Sequence, residues 1–480
     1  MSGAGASVDF PHAAREAMQD AQMRRNVAHA TDVIREKRDR VVAERRDWQD
    51  LREAGSAIRQ HALCHLDHYL MQFEAACTQA GGQVHWAADA SDANRITGDL
   101  LVHHGVREVV KIKSITTEET GLNRALAARG IDAIESDLAE LIIQLGHDKP
   151  SHIVVPALHK NRRQIREIFE REMGLGTLGD TAEDLTAAAR EYLRRKFFAA
   201  PAAVSGANFL IAETGSVVIV ESEGNGRMCL TLPRVLITIA GIEKVIPKYE
   251  DLDVFLQTLP RSATGERMNP YTSVWTGTHV GDGPEEFHVI LLDNGRSRIL
   301  RDAEAQQTLK CIRCGACQNV CPVYRQTGGH AYRSVYAGPI GAILTPQLEQ
   351  LLEGDSLPYA SSLCGACYEV CPVKIDIPEV LIHLRGAVVR KEQATLSGRL
   401  GAWNLGMQAA ARIFSSGDRL ALAETLGRLG QRPFVRPNGF IEHLPFQLAG
   451  WTQSRDLAPL PDESFRQWWA RRSSSGDNAQ

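Results

Sequence analysis

The amino-acid sequence predicts an α/β domain followed by an all-α domain, and three observations lead to this prediction. Short β-branched runs alternate with helical stretches between about Gly82 and Gly295, a pattern typical of βαβ units with a parallel sheet. Seven of the ten cysteines then fall between Cys311 and Cys371, among helical stretches. The chain of 480 residues is also too long for one ordinary core, so two or three domains are expected.

Charge and hydropathy argue against two classes of protein. The formal net charge is −4 and charged residues make up 23% of the chain, so there is no basic excess to attract nucleic acid. No stretch approaches the roughly 18 uncharged apolar residues of a membrane-spanning helix. The pair Arg24-Arg25 is not followed by the apolar run of an export signal. We therefore expect a cytoplasmic protein without a membrane span.

Residues 1–80 are predicted to form a helical segment. Good helix formers dominate this segment, and its charged and apolar residues interleave with helical period. The segment is also rich in arginine, and these arginines are expected to lie on a solvated helix face.

Residues 81–297 are predicted to form the α/β domain, with antiparallel strands joining the parallel ones in its later half. A G-x-G-x-x-G pattern from Gly174 to Gly179 follows a helical stretch instead of a strand, so no dinucleotide site is expected there. Asp180 or Thr181 is instead predicted to cap the next helix. The candidate strands are 82–87, 107–113, 131–137, 151–158, 209–222, 235–241 and 286–295.

Four residues of this domain are weak candidates for catalysis or binding. Lys113 and His159 follow candidate strands, at the edge where open α/β sheets usually bind ligands, although helix capping and solvated side chains explain these loops as well. Glu213 interrupts an apolar run, where a buried carboxylate must be paired or functional. Arg227 follows in a flexible loop and suits an organic anion, but a surface or pairing role fits it equally. Outside the cysteine motifs, the sequence therefore gives only weak evidence for a catalytic or binding site.

The first cysteine motif is Cys311-x2-Cys314-x2-Cys317-x3-Cys321-Pro322. Its spacing matches that of bacterial two-cluster ferredoxins at every position. Three thiolates on one tight loop hold three corners of a cubane, and the fourth, which precedes proline, serves the other cluster.

The second motif repeats the first, except that Ser361 stands where the first cysteine would be. Its last cysteine also precedes a proline. Pseudo-symmetry predicts a cluster 1 of the [4Fe-4S] type, held by Cys311, Cys314, Cys317 and Cys371. It predicts a cluster 2 held by Cys321, Cys364 and Cys367.

Cluster 2 has three cysteine ligands, so its type stays open. It is either a [3Fe-4S] cluster or a [4Fe-4S] cluster whose fourth ligand is Ser361, another side chain, solvent or a group of a partner. Zinc is the alternative to iron, since paired C-x2-C motifs also bind zinc. Seven thiolates in this spacing, with a proline after each run, favour iron-sulfur clusters.

The rest of the chain is predicted to be helical. Residues 298–395 form a helical ferredoxin domain, because the linker between the motifs is long enough for helices, as in succinate dehydrogenase iron-sulfur subunits. A helical C-terminal region, 396–472, and a disordered tail, 473–480, follow. Phe465, Trp468 and Trp469 in the C-terminal region either dock a partner or pack on the protein's own core.

Several segments resemble one known family. The strings VKIKSITTEETGLNRAL, SHIVVPALHKNRRQI, FLIAETGSVVIVESEGNGR and LLDNGRS, followed by both cysteine motifs, are similar to the lactate-utilisation protein B family. The similarity covers roughly residues 60–472. It implies a lactate-utilisation (LUD) domain with a NagB/RpiA/CoA-transferase-like fold, then a helical ferredoxin domain. Family members are described as having three cysteines at the second cluster, so Ser361 does not depart from the family.

The resemblance also implies a function. The chain would be the iron-sulfur electron-transfer subunit of a three-protein complex that oxidises L-lactate to pyruvate without NAD and allows growth on lactate. Its partners would be the other lactate-utilisation subunits, an electron acceptor and a small 2-hydroxy acid, with peripheral attachment to the inner membrane through partners left open. Whether the chain itself is an enzyme also stays open. The alternative is a self-contained CoA-transferase-like or isomerase-like enzyme, with Glu213 as the active carboxylate and structural or sensory clusters.

Overall fold

The computed structural model describes residues 9–281, 283–350 and 355–474. The chain divides into two compact units, one ending at Lys391 and the other beginning at Glu392. The first unit contains both the α/β domain and the cysteine motifs.

Four helices form the start of the first unit, as predicted for this segment. Two of them begin at aspartate N-caps, since Asp9 accepts a hydrogen bond from the His12 N–H and Asp20 from the Met23 N–H. The helices are α1 (Phe10–Ala17), α2 (Ala21–Ala43), α3 (Trp48–Cys64) and α4 (Leu66–Gln79).

A six-stranded sheet, parallel throughout, is the centre of the α/β domain. The strands lie in the order β1-β10-β7-β4-β2-β3. Five of them fall on predicted strands, whereas β4 was not predicted although every residue of it is buried. The strands are β1 (Gln83–Ala87), β2 (Glu108–Lys111), β3 (Asp132–Glu135), β4 (Ala202–Ser205), β7 (Val235–Gly241) and β10 (Glu286–Leu292).

Alternate residues of these strands pack into cores on opposite faces of the sheet. In β10, Ile290 belongs to one core and Val289 to the other. This arrangement explains the nearly continuous apolar runs in the sequence, because a parallel sheet is covered by helices on both faces.

A second sheet of four strands contains the predicted antiparallel pairs. Its order is β8-β5-β6-β9, and β6 is antiparallel to both neighbours. The predicted strand 209–222 is a hairpin that turns at Gly215, where φ is +66° and an added Cβ would lie 2.1 Å from the Cys77 backbone nitrogen. The strands are β5 (Phe209–Ile211), β6 (Ser216–Glu221), β8 (Val245–Ile246) and β9 (Tyr271–Trp275).

The predicted strand 151–158 is wrong, because these residues form a loop. The His152 ring accepts hydrogen bonds from the backbone N–H groups of Val154 and Val155, both at 3.0 Å. The Ser151 hydroxyl donates to the Pro156 carbonyl at 3.0 Å. Side chains thus satisfy the backbone groups that a neighbouring strand would otherwise satisfy, and Ile153 packs into the core that contains the cysteines.

Eight helices connect the strands. The glycine pattern 174–179 lies between α9 and α10, and Thr181 caps α10 as predicted by accepting a hydrogen bond from the Asp184 N–H. The helices are α5 (Ala90–His103), α6 (Ile115–Thr120), α7 (Leu122–Ala127), α8 (Leu138–Leu145), α9 (Arg162–Met173), α10 (Ala182–Ala199), α11 (Asn225–Thr231) and α12 (Leu252–Ala263).

The cysteine motifs lie among short helices. Within the predicted helical domain 298–395, the segment 345–354 is helical up to Leu348, and its residues 351–354 lie outside the described residues. Several cysteines share one core with residues of α1, α2, the second sheet and α12. The helices are α13 (Arg296–Leu300), α14 (Ala316–Val320), α15 (Pro322–Thr327), α16 (Gly338–Leu348), α17 (Ala366–Val370) and α18 (Ile377–Ala394).

The second unit is helical up to Phe434, as predicted, but its residues 435–464 contain only the short 3-10 helix Phe446–Trp451 and isolated β-bridges. The rings of Phe465, Trp468 and Trp469 contact one another and are exposed to solvent. The last helix ends at Ser474, within the predicted tail, and 475–480 lie outside the described residues. The helices are α19 (Leu396–Arg399), α20 (Ala402–Phe414), α21 (Gly417–Gln431) and α22 (Phe465–Ser474).

Candidate iron-sulfur centre

The two cysteine motifs have the same backbone conformation. Arg313 and Leu363, which precede the second cysteine position of each motif, have φ of 62° and 54°. Gly315 and Gly365 have φ of 74° and 83° and begin α14 and α17, which pack against each other. The repeated sequence therefore folds into two related loops that face each other.

Four thiols line one cavity in the core. The other residues that line the cavity are mostly apolar, including Ile153 and Ile340. Three of the thiols come from the first motif and one from the second. They are Cys311, Cys314, Cys317 and Cys371.

The remaining three motif cysteines, Cys321, Cys364 and Cys367, form a second group. The Cys367 thiol interacts electrostatically with both Cys321 and Cys364. Cys317 of the first group also interacts electrostatically with Cys367 of the second group, so the two thiol groups adjoin. Cys364 is exposed, whereas the first group is buried except for the half-buried Cys317. The second group therefore lies nearer to solvent.

The spacing of the thiols fits a cluster better than a single ion. Among the described residues, no three thiol sulfurs lie within 4.8 Å of one another. A tetrahedral zinc site with Zn–S bonds of about 2.3 Å needs sulfurs about 3.8 Å apart, whereas the cysteine sulfurs around an iron-sulfur cubane are farther apart because each binds a different iron. The donor set therefore suits an iron-sulfur cluster.

Burial keeps the thiols of Cys314, Cys317 and Cys367 neutral until they bind metal. It raises the pKa of Cys314 and Cys317 well above the ordinary range, and it raises that of Cys367 to about 12. Backbone N–H groups already point at three sulfurs, since Arg313 donates to Cys311 and Ile375 to Cys371, each at 3.4 Å, and Tyr324 donates to Cys321 at 3.5 Å. Iron would replace the thiol protons and leave these donors in place.

Ser361 takes the place of a cysteine in its loop. Its Oγ accepts a hydrogen bond from the Leu363 N–H at 3.1 Å, just as the Cys311 sulfur accepts one from the Arg313 N–H. The serine oxygen thus has the same local partner as the cysteine sulfur it replaces.

The prediction that the N-terminal arginines lie on a solvated face is wrong for Arg38, Arg52 and Arg59, which are buried. Arg59 is 1% exposed and donates to the backbone carbonyls of Glu243, Val245, Leu309 and Lys310. The last two of these residues directly precede Cys311. A buried guanidinium must have its donors satisfied, and the carbonyls of the loop that enters the first motif satisfy those of Arg59.

Arg52 holds the second motif in the same way. Its guanidinium donates to the Cys371 and Tyr368 carbonyls, both at 2.9 Å. Because Arg52 and Arg59 are seven residues apart on α3, they lie on one helix face, and this spacing is the signal that could have identified them.

A further, largely buried arginine stands beside the first thiol group. Arg313 lies over the Tyr336 ring at 5.0 Å and contacts Glu243 at 3.1 Å. Burial alone would raise the pKa of Glu243, but Arg296 and Arg313 hold it at about 2. The first thiol group is therefore surrounded by fixed positive charge that the carboxylate of Glu243 offsets in part.

The four weak candidates do not form one site. Lys113 donates to the Val154 carbonyl at 2.8 Å and pairs with Glu140 at 3.0 Å. His159 contacts the Ser151 hydroxyl at 2.8 Å and Asp148 at 3.0 Å. Both thus adjoin the loop over 148–160.

Glu213 and Arg227 lie elsewhere on the surface. Glu213 is at the exposed hairpin turn and accepts a hydrogen bond from the Tyr249 N–H at 3.0 Å. Arg227 is exposed and lies over the Tyr271 ring at 5.2 Å. The turn therefore carries the Glu213 carboxylate out of the apolar run that surrounds it in the sequence.

Comparison with known proteins agrees on a family. Residues 70–292 match the LUD domain, and residues 307–375 match a 4Fe-4S dicluster domain. Lactate utilization protein B of Oceanobacillus iheyensis is 43% identical over 453 residues, which are 94% of this chain and 93% of that protein. The chain belongs to the lactate utilization protein B family. The protein of the same name from Bacillus licheniformis is 42% identical and covers 98% of each chain.

The predicted family, LUD domain and iron-sulfur domain are thus confirmed. A solved structure of a DUF162 family protein from Deinococcus radiodurans covers 47% of this chain and 98% of that one, at 13% identity and a TM-score of 0.27, which is too low to support an argument about fold. In the part of this lactate utilization protein B family member that the structure describes, no helix is both long and apolar enough to cross a bilayer.

Proposed function

We propose that this chain is the iron-sulfur electron-transfer subunit of an NAD-independent complex that oxidises L-lactate to pyruvate. The observation that carries the proposal is a pair of adjoining thiol groups, one buried and one nearer to solvent, in a chain whose relatives are named for lactate utilisation. The oxidation releases two electrons and two protons. Two neighbouring one-electron centres match this stoichiometry.

Each thiol group is proposed to hold one cluster. Cluster 1 is a [4Fe-4S] cluster bound by Cys311, Cys314, Cys317 and Cys371, and its support is the single cavity that these thiols line. Cluster 2 is bound by Cys321, Cys364 and Cys367. Because Cys364 is exposed, cluster 2 would exchange electrons with a partner and cluster 1 would store them inside the protein.

The complex itself is tested with L-lactate as the reductant. Anaerobically purified chain is mixed with L-lactate, with and without the other lactate-utilisation subunits, and EPR spectra are recorded before and after mixing. We expect the clusters to become reduced only when the partner subunits are present, while dithionite reduces them in both samples. Full lactate:acceptor activity of the chain alone would contradict the subunit proposal.

Replacing Ser361 with cysteine is expected to complete the ligand set of cluster 2. The hydrogen bond from Leu363 places residue 361 where Cys311 stands in the first loop, so the new thiolate would hold a fourth iron. Under mild oxidation we expect the wild type to show the EPR signal of a three-iron cluster and Ser361→Cys to lack it. The matched control is Ser362→Cys on the neighbouring exposed residue. A three-iron signal in Ser361→Cys as strong as that of the wild type would refute this position for the fourth ligand.

A further inference from the structure

Three polar side chains converge on one point at the amino end of strand β10. Glu286 begins this strand and His288 follows two residues later on the same face, while His104 is the C-cap residue of α5. Their ligand atoms all lie within 4.8 Å of one another. The carboxyl end of β10 leads to Arg296 and the iron-sulfur region, so this cluster lies at the opposite edge of the parallel sheet.

The distances suit ligands around an ion better than hydrogen bonds. The Nε2 atoms of His104 and His288 are each 3.3 Å from Glu286 Oε2. Charge-assisted N–H···O bonds are usually about 2.7–2.9 Å. The edges of a zinc tetrahedron with bonds of about 2.0–2.1 Å are about 3.3 Å. Moreover, His104 Nε2 is buried and has no hydrogen-bond partner among the described residues.

A third histidine orients His288, the most deeply buried of the three ligands. His85 Nε2 lies 3.1 Å from His288 Nδ1, and such a partner fixes a ligating imidazole with its other nitrogen toward the metal.

We propose that His104, Glu286 and His288 bind one divalent transition-metal ion of the zinc type, with solvent as the fourth ligand. The solvent position follows from exposure, since the Glu286 side chain is 42% exposed. The ion would join α5 to β10 and stabilise the α/β domain independently of the iron-sulfur clusters.

A second group of possible ligands is less suited to a metal ion. It consists of Asp148, His159 and His330. Lys160 Nζ lies 2.5 Å from the same Asp148 oxygen that His159 contacts. A lysine ammonium so close to the carboxylate competes with any metal ion for it. Among the described residues, the His104 cluster differs from this group because His104 Nε2 has no hydrogen-bond partner and Glu286 forms no ion pair with lysine or arginine.

The test uses the full chain with its clusters, purified anaerobically, to which zinc sulfate is added in equal molar amount before desalting. Zinc content is measured by mass spectrometry and zinc coordination by X-ray absorption at the zinc edge. The variants are His104→Gln and Glu286→Gln, and the control is His103→Gln, which changes the exposed neighbouring histidine. Iron content is measured in parallel to verify that all four proteins keep their clusters.

We expect about one zinc ion with nitrogen and oxygen ligands only in the wild type and in His103→Gln. The two site variants should bind zinc at least about tenfold more weakly. Zinc should also raise the thermal unfolding temperature of the wild type but not that of His104→Gln. A zinc shell that contains sulfur, equal zinc in His104→Gln and the wild type, or no zinc in the wild type would overturn the proposal.

Discussion

Replacing Cys371 with alanine is expected to remove the same cluster as replacing Cys314, although the two residues belong to different motifs. Both thiols line the cavity of the first group. Each single variant should retain about half of the iron, and the double variant Cys314→Ala/Cys371→Ala should lose no more than either one. The double variant Cys314→Ala/Cys321→Ala should lose nearly all of it, because it affects both groups. Iron and sulfide analysis with EPR measures these losses.

The opposite pattern would show that each motif holds its own cluster. In that arrangement Cys314 and Cys321 share a cluster, so their double variant would keep half of the iron while Cys314→Ala/Cys371→Ala would lose nearly all. Cys229→Ala is the control, because Cys229 is buried in the α/β domain and outside both motifs. It should keep all of its iron.

Replacing Arg59 with glutamine is expected to lower the reduction potential of cluster 1. Arg59 and the Cys311 thiolate attract each other electrostatically, and reduction adds negative charge to the cluster that this thiolate would bind. One charge several ångströms away at an effective dielectric constant of about 20 contributes about 2 kcal/mol, which corresponds to a shift on the order of 50–100 mV for a one-electron couple. The shift in reduction potential is measured by a redox titration that is monitored by EPR.

Cluster 2 serves as the internal reference for this experiment, since Cys321, Cys364 and Cys367 are not among the thiols that Arg59 attracts. Arg59→Lys keeps the charge and should stay near the wild-type potential. Arg52→Gln is a second variant, because Arg52 interacts with Cys371 and should shift the same cluster if Arg59→Gln folds poorly. Equal shifts of both clusters, or an equally large shift in Arg59→Lys, would contradict an electrostatic role.

The cysteine loops could be predicted because they depend on residues close together in the sequence. Many of the other contacts could not be predicted, because they join residues far apart along the chain. The spacing of Cys311 to Cys321 specifies its own loop, so thiol positions follow from a short stretch of sequence. The contact between Arg59 and Val245 joins residues 186 positions apart, and no local pattern reveals it. The same applies to His104 and Glu286, whose partnership depends on the order of strands in the sheet.

Two errors of secondary structure have a common physical cause. An apolar β-branched run such as 151–158 is typical of a strand, but burial under the cysteine loops stabilises it equally well once His152 satisfies its backbone. Conversely, β4 is a short central strand with the sequence Ala-Ala-Val-Ser, in which only the valine favours strands. Tertiary burial decided both cases.

Because side chains of α3 hold both cysteine loops, the ferredoxin part is not an independent module. Expressed by itself, a fragment such as 301–391 would lack the Arg52 and Arg59 guanidinium groups, and the carbonyls that they hold at Leu309 and Cys371 would open to water. Any attempt to transplant the cysteine-containing part of this protein onto another enzyme must therefore bring α3 with it.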